Sequence, residues 1–196
     1  MYIFPDVRHG RNRCWKRVSS CRRRSSTRSC RIGAAISVAD SGTIIKLLIE
    51  KFPSQVEAIE LNPIQTAVQI DPKIVVAFFE FIATHPDLKM AYLSSISGVD
   101  TTTNIDIVYF ISSIEYKHKL TVRTKVDRQG GKIDTISTVI KGANWFEREI
   151  WELFGVEFVG HPNLTQFLLP DDWDEGHPML RDWTGRNFVK MPEIGG

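Results

Sequence analysis

Residues 103–140 read TNIDIVYFISSIEYKHKLTVRTKVDRQGGKIDTISTVI. In their first third Ile105, Ile107 and Tyr109 fall on one side of an extended chain, and Asp106, Val108 and Phe110 on the other. A period of two in residues rich in Ile, Val, Thr and Tyr predicts β-strands. Strands are expected at 88–97, 103–112, 117–125 and 133–140. Gly98-Val99-Asp100, Ser113-Ile114-Glu115 and Gln129-Gly130-Gly131 supply the turns between them. Four consecutive strands with short links predict an antiparallel meander.

Moving towards the N-terminus, Asp40-Ser41-Gly42 precedes an apolar stripe over 43–52 that Pro53 ends, the pattern of a capped helix. Short strands are expected at 56–61 and 66–70, around an Asn62-Pro63 turn. Asp71-Pro72 opens a second helix that stops before Pro86. Its Val75, Val76, Phe78, Phe79 and Ile82 are too many for a single stripe, so much of it is buried. The fold class is therefore α+β: two N-terminal helices on a mainly antiparallel sheet, then a C-terminal helix and an extended docking tail.

The 196 residues are 42% hydrophobic and 24% charged, as in a globular domain with an appendage. Ten of the 25 Lys/Arg, but one of the 23 acids, lie in residues 1–31, leaving 15 basic and 22 acidic residues and a net of −7 beyond them. All three cysteines (Cys14, Cys21, Cys30) also lie there, at spacings that match no zinc or iron–sulfur motif. Residues 1–31 thus form a basic Cys/Arg/Ser-rich arm with three readings: an organelle transit peptide, an arm for an acidic surface, or a misassigned start. The cysteine-free remainder excludes a disulfide framework or a thiolate cluster. No apolar run reaches the ~18 residues of a membrane span; the longest candidate, 74–83, is broken by Glu80. The remaining chain divides into an α+β domain, 32–142, and a signature helix with a partner-docking tail, 143–196.

That last region reads ANWFEREIWELFGVEFVGHPNLTQFLLPDDWDEGHPMLRDW over 143–183 and holds four of the five tryptophans. Asn144 as cap with Glu147 in capping-box position, and Gly155 as the left-handed stop, predict a helix over 145–154. Phe146, Ile150, Leu153 and Phe154 form its expected core face, Arg148 and Glu152 an i, i+4 pair, and Trp151 an exposed interface anchor. Glu149 and Glu152 sit one turn apart, as an acid/base pair would. A solvated or partner-facing charged edge is the favoured reading, since no nucleophile or phosphate loop accompanies them. Gly160-His161-Pro162 and Gly176-His177-Pro178 each predict a sharp turn, because Gly permits positive φ and Pro extends the preceding His. Two histidines suggest a metal, but no third ligand has fitting spacing, and structural turns are favoured. Trp173 in acidic 170–175, and Trp183 beyond it, point to docking.

The run Glu147-Arg-Glu-Ile-Trp-Glu-Leu-Phe-Gly155 with Gly160-His161-Pro162 and Gly176-His177-Pro178 resembles the C subunit of NADH–quinone oxidoreductase, respiratory complex I, and its relatives in energy-converting [NiFe] hydrogenases, F420H2 dehydrogenases and sulfur-reducing complexes. The resemblance covers about residues 143–183. It implies a non-catalytic peripheral-arm subunit, at the cytoplasmic face of the membrane and held there only through the complex, that supports electron transfer coupled to ion translocation. It implies no catalytic, metal or cofactor-binding residue in this chain: iron–sulfur clusters, and NAD, quinone or a nickel–iron centre, belong to partners. The implied partners are the hydrogenase-like large (D-type) subunit and the iron–sulfur B-type subunit, with no nucleic acid. The implied interface or signature residues are Glu147, Arg148, Glu149, Trp151, Phe154, Gly155, Gly160, His161, Pro162, Trp173, Gly176, His177, Pro178, Arg181, Asp182 and Trp183. In place of the family's apolar–Arg–Lys–Asp–aromatic run stands Met179-Leu-Arg-Asp-Trp183. Leu168-Leu-Pro-Asp-Asp-Trp173 replaces a Thr-Asp-Tyr-Gly type turn. Both changes look more like the hydrogenase-related or archaeal branch, so the equivalent C-type component of a hydrogenase or sulfur reductase is the alternative. A nucleic-acid binder using the basic arm is a third reading without motif support.

Overall fold

The computed structural model describes residues 41–62 and 65–185; the basic arm, the Asp40 cap and the Pro63 turn position lie outside them. Helix α1 spans Ser41–Lys51 and turns Ile44 and Leu48 into the core. Strands β1 (Val56–Asn62) and β2 (Gln65–Ile70) pair antiparallel. Asp71 then caps a 3-10 turn, Pro72–Ile74, its Oδ1 accepting the Lys73 N–H at 2.9 Å. The turn runs directly into helix α2, Val75–Thr84, which buries Val75, Phe78, Phe79 and Ile82. Both expected N-terminal helices and the first two strands are present.

Strands β3 (Tyr92–Asp100), β4 (Asn104–Ser112) and β5 (Lys119–Asp127) form the expected meander. The five-stranded sheet runs β1-β2-β5-β4-β3, with β2 parallel to β5 and the other three pairings antiparallel. Val68, Val122, Tyr109 and Ile96 make one row across β2, β5, β4 and β3 and are all buried. The helices cover that side: Phe79 of α2 lies 4.9 Å from the Tyr109 ring, ring centre to ring centre.

Two strand expectations are corrected. Gly98-Val99-Asp100 is not a turn but the end of β3, and the chain reverses at Thr101–Thr103 instead. Gly98 is there because a Cβ would meet the Phe154 ring at 2.8 Å, so the glycine is a seat for an aromatic side chain. The fourth strand shrinks to β6, Lys132–Asp134, which leaves the main sheet to pair in parallel with β7, Glu157–Val159. It ends there because, after the Thr135 N–H makes a last bond to Val159 O, the Ile136 N–H turns to a buried carboxylate, described next.

Candidate partner-docking site

Helix α3 spans Ala143–Phe154. Its innermost stripe is Ala143, Glu147, Ile150 and Phe154, at i, i+4, i+7, i+11 spacing, all buried. Phe146 and Leu153 are half-buried flanks of this stripe rather than its centre. Glu147 does not close a capping box, and Gly142, not Asn144, occupies the cap without a side-chain bond. Instead the Glu147 carboxylate accepts the Ile136 N–H at 2.8 Å and the Thr135 hydroxyl at 2.5 Å, with Ser137 Oγ 2.7 Å from Thr135 Oγ1. Burial pushes Glu147 up to about 7, against the lowering pull of those bonds.

Arg148 and Glu152 are not an ion pair with a solvated edge; both are buried and grip the tail. The Arg148 guanidinium donates to Thr165 O and Oγ1 at 2.9 Å and to Gln166 O at 3.3 Å. It also lies 4.9 Å from the Trp145 ring centre and 4.7 Å from that of Phe167. Glu152 accepts the backbone N–H groups of Phe167, Leu168 and Leu169 at 2.6–3.2 Å, using both oxygens. Residues 165–169 lack a strand partner, and these two side chains supply the hydrogen bonds a ladder would have given. Glu149 remains half-buried and Trp151 is half-buried rather than exposed; the exposed tryptophan of the helix is Trp145.

Gly155 ends α3 with φ 81°, its N–H bonded to Trp151 O, as expected of a left-handed stop. Both Gly-His-Pro units are turns with positive φ, 80° at Gly160 and 75° at Gly176. His161 Nδ1 accepts the Asn163 N–H, which leaves Nε2 as the donor to Asn144 O at 3.2 Å. Its Nε2 stands 3.8 Å from Glu147, both side chains closed to solvent. Burial first, and then the Arg148 charge, push His161 down, so both groups are favoured in their neutral forms. His177 Nδ1 donates to Glu152 O at 2.9 Å, and the Met179 N–H bonds Leu153 O at 3.2 Å. These are carbonyls of the last turn of α3, which the helix itself cannot satisfy. A Cβ on Gly155 would lie 2.6 Å from the His177 ring, so this glycine serves both the turn and the docked imidazole. The two histidines are thus spent on separate backbone carbonyls.

The far end of the tail is latched to the sheet. Asp100, buried at the end of β3, accepts from Arg128, from the Arg181 N–H at 2.9 Å and from the Thr102 N–H at 2.8 Å. The Arg128 hydrogen bonds, with those from Arg181 and Thr102, hold the Asp100 carboxyl down at about 2. Arg128 also pairs with Asp182. Trp173 and Trp183 stack at 5.9 Å, their indole N–H groups donating to Gly176 O and Glu175 O at 2.7 Å. Leu180, at the position where the family pattern has a basic residue, packs against the core. Pro162 is exposed on the first turn and Pro178 half-buried on the second.

Sequence pattern alone does not single out Thr135, Asp100, Arg128 or Thr165. Glu147 carries a local signal, since it shares a stripe with Ala143, Ile150 and Phe154. Arg128 meets Asp100 across 28 residues and Asp182 across 54, which no short-range pattern reveals. Among the described residues no group of three His, Cys, Asp or Glu could hold a metal ion, and no helix is long and apolar enough to cross a membrane.

Residues 68–189 match the family of the 30 kDa subunit of respiratory-chain NADH dehydrogenase. The chain is 36% identical over 140 residues to the C subunit of NADH-quinone oxidoreductase from Chlorobium phaeobacteroides, covering 68% of this chain and 82% of that protein. It is 30% identical over 147 residues to NADH-ubiquinone oxidoreductase subunit 9 of Reclinomonas americana, covering 74% and 71% respectively. Its fold is similar to a chain of an archaeal membrane-bound sulfane sulfur reductase, with a TM-score of 0.58, 20% identity, and coverage of 67% of this chain and 77% of that one. The chain belongs to the family of the 30 kDa subunit of respiratory-chain NADH dehydrogenase.

Proposed function

We propose that this chain is a non-catalytic peripheral-arm subunit of a complex I-like oxidoreductase. In this reading it packs against a hydrogenase-like large subunit and the iron–sulfur B-type subunit, at the cytoplasmic face of the membrane. Donor, clusters and quinone sit in those partners, and electron transfer there drives ion translocation. One observation supports this most: Arg148, Glu152 and His177 are consumed in fixing the tail to the signature helix. Glu152 is saturated by three amides and His177 by a helix carbonyl, so neither is poised to move a proton for a substrate. What they produce is a stiff irregular surface carrying Leu168 and Met179, both more than half exposed.

The test is isolation of the native complex through an affinity tag on this chain, with mass spectrometry of what accompanies it. Co-isolation of a hydrogenase-like large subunit and an iron–sulfur subunit is expected; recovery of the chain alone would contradict the proposal. Arg181→Ala sharpens it, because the Arg181 side chain is exposed while its backbone N–H stays on Asp100. Its expected effect is weaker assembly with an unchanged melting temperature of the chain.

The second reading is a hydrogenase or sulfur-reductase type of complex, favoured by residues 168–173 and by Leu180. The sequence relatives at 30–36% identity weigh for the NADH–quinone type. NADH-dependent quinone reduction by the isolated complex, against hydrogen or sulfur turnover, separates them.

A further inference from the structure

We propose that a cavity on β3, β4 and β5, on the side of the sheet away from α1 and α2, binds a phosphate ester with an apolar or aromatic body. The cavity has a volume of about 510 Å³, and its lining includes Ser94, Ser95, Phe110, Ser112, Lys119 and Thr121. That size falls within the ~300–1,000 Å³ of small-molecule sites. Strand alternation gives the side. Tyr109, Ile111, Leu120 and Val122 are buried in the core, so Phe110, Ser112, Lys119 and Thr121, which alternate with them, lie on the opposite side. In β3 the register slips between Leu93 and Ser95, and Ser94 is the extra residue, without a partner on β4. Bulges re-aim side chains beside functional sites, and this one lies where two consecutive serines line one cavity.

The chemistry of the lining selects the ligand. Among the described residues, the side chains of Ser94, Ser95, Ser112, Thr121 and Lys119 make no hydrogen bond or ion pair. Thr121 is 6% exposed. Unlike Thr124 Oγ1 on the core side, its Oγ1 is not sealed from solvent, and the cavity is the opening that Thr121 lines. Lys119 is the one charged residue among the described residues of the lining. A cationic ligand would meet that ammonium without a counter-charge, and a wholly apolar one would strip water from the hydroxyls. A phosphate offers several acceptor oxygens to one ammonium and a set of hydroxyl donors. Half-buried Phe110 leaves an apolar wall for the body of the ester. A lipid headgroup and a soluble phosphate ester share this chemistry.

The experiment is calorimetric titration of the full chain with phenyl phosphate, dihexanoyl phosphatidic acid, inorganic phosphate and phenol. Lys119→Ala and Thr121→Val are compared with wild type and with Lys125→Ala, exposed on the same strand and outside the cavity. Binding of phenyl phosphate supports the site with a soluble ester as its source, and binding of the phosphatidic acid supports it with a lipid head. Lys119→Ala is expected to weaken that binding about tenfold and Thr121→Val about fivefold, with Lys125→Ala unchanged. No binding of either ester overturns the site, and so does equal affinity in wild type and Lys119→Ala. Phenol binding as tightly as phenyl phosphate overturns the phosphate assignment, and inorganic phosphate doing so overturns the apolar body. Lys119 is exposed, so its variant decides the matter even where Thr121→Val disturbs folding.

Discussion

Helices α2 and α3 have ten and twelve residues, lie in the same core and bury opposite chemistry. The buried set of α2 is Val75, Phe78, Phe79 and Ile82; that of α3 includes Glu147, Arg148 and Glu152 beside Ile150 and Phe154. Burying an unpaired charge costs several kcal/mol, whereas an apolar side chain gains on burial. A helix that serves only the fold therefore has no use for the second pattern. These buried polar groups of α3 are tolerated because each meets irregular chain: Glu147, favoured neutral, the 135–137 segment, Arg148 residues 165–166, Glu152 residues 167–169. One helix builds the core; the other builds the core and organises the tail.

The contrast breaks first at Phe79. Phe79→Ala should cost about 3–5 kcal/mol of global stability by chemical denaturation, since it opens a cavity against Tyr109. A loss under ~1 kcal/mol would mean that α2 is not what holds the sheet.

Glu147 gives the next largest effect, and it depends on pH. Its folded value of about 7 lies above the ordinary 4.5. Its contribution to stability is therefore full below about 4.5 and is lost as pH rises through about 7. Glu147→Gln keeps the acceptor for Ile136 and removes the titration. The variant should match wild type near pH 4.5 and exceed it at pH 8 by about 2–3 kcal/mol. Parallel stability–pH curves would show that the carboxyl is not held in a raised state.

Gly155→Ala comes third. Left-handed backbone costs a residue with a side chain about 1–2 kcal/mol, and the new Cβ would displace the His177 ring. Limited proteolysis should then cut between residues 160 and 185, while Gly142→Ala, whose Cβ meets nothing, leaves the pattern unchanged. Equal resistance of both variants would separate the His177 contact from tail order.

These effects also show what is legible in the chain and what is not. The α2 pattern can be read because an apolar stripe and its Pro punctuation are local. The stop at Gly155 and both Gly-His-Pro turns are readable for the same reason: φ is a property of single residues. Glu147 reads as a cap, yet its partners Thr135 and Ile136 precede the helix by more than a full turn's reach. The expected 133–140 strand fails because its alternation is real at Lys132–Asp134, but beyond the bond from Thr135 N–H to Val159 O the Ile136 N–H goes to that carboxylate instead. Gly98 resembles a turn glycine, and only the Phe154 ring, far along the chain, explains it.

The central claim is that Arg148 and Glu152 of α3 hold the tail. It is tested most directly by amide hydrogen exchange on the full chain carrying Glu152→Ala. Exchange at Phe167, Leu168 and Leu169 should accelerate about 30-fold or more, the equivalent of roughly 2 kcal/mol of lost hydrogen bonding, while amides in β4 and β5 keep their protection. Unchanged protection at those three residues, or equal loss throughout the sheet, would contradict the account.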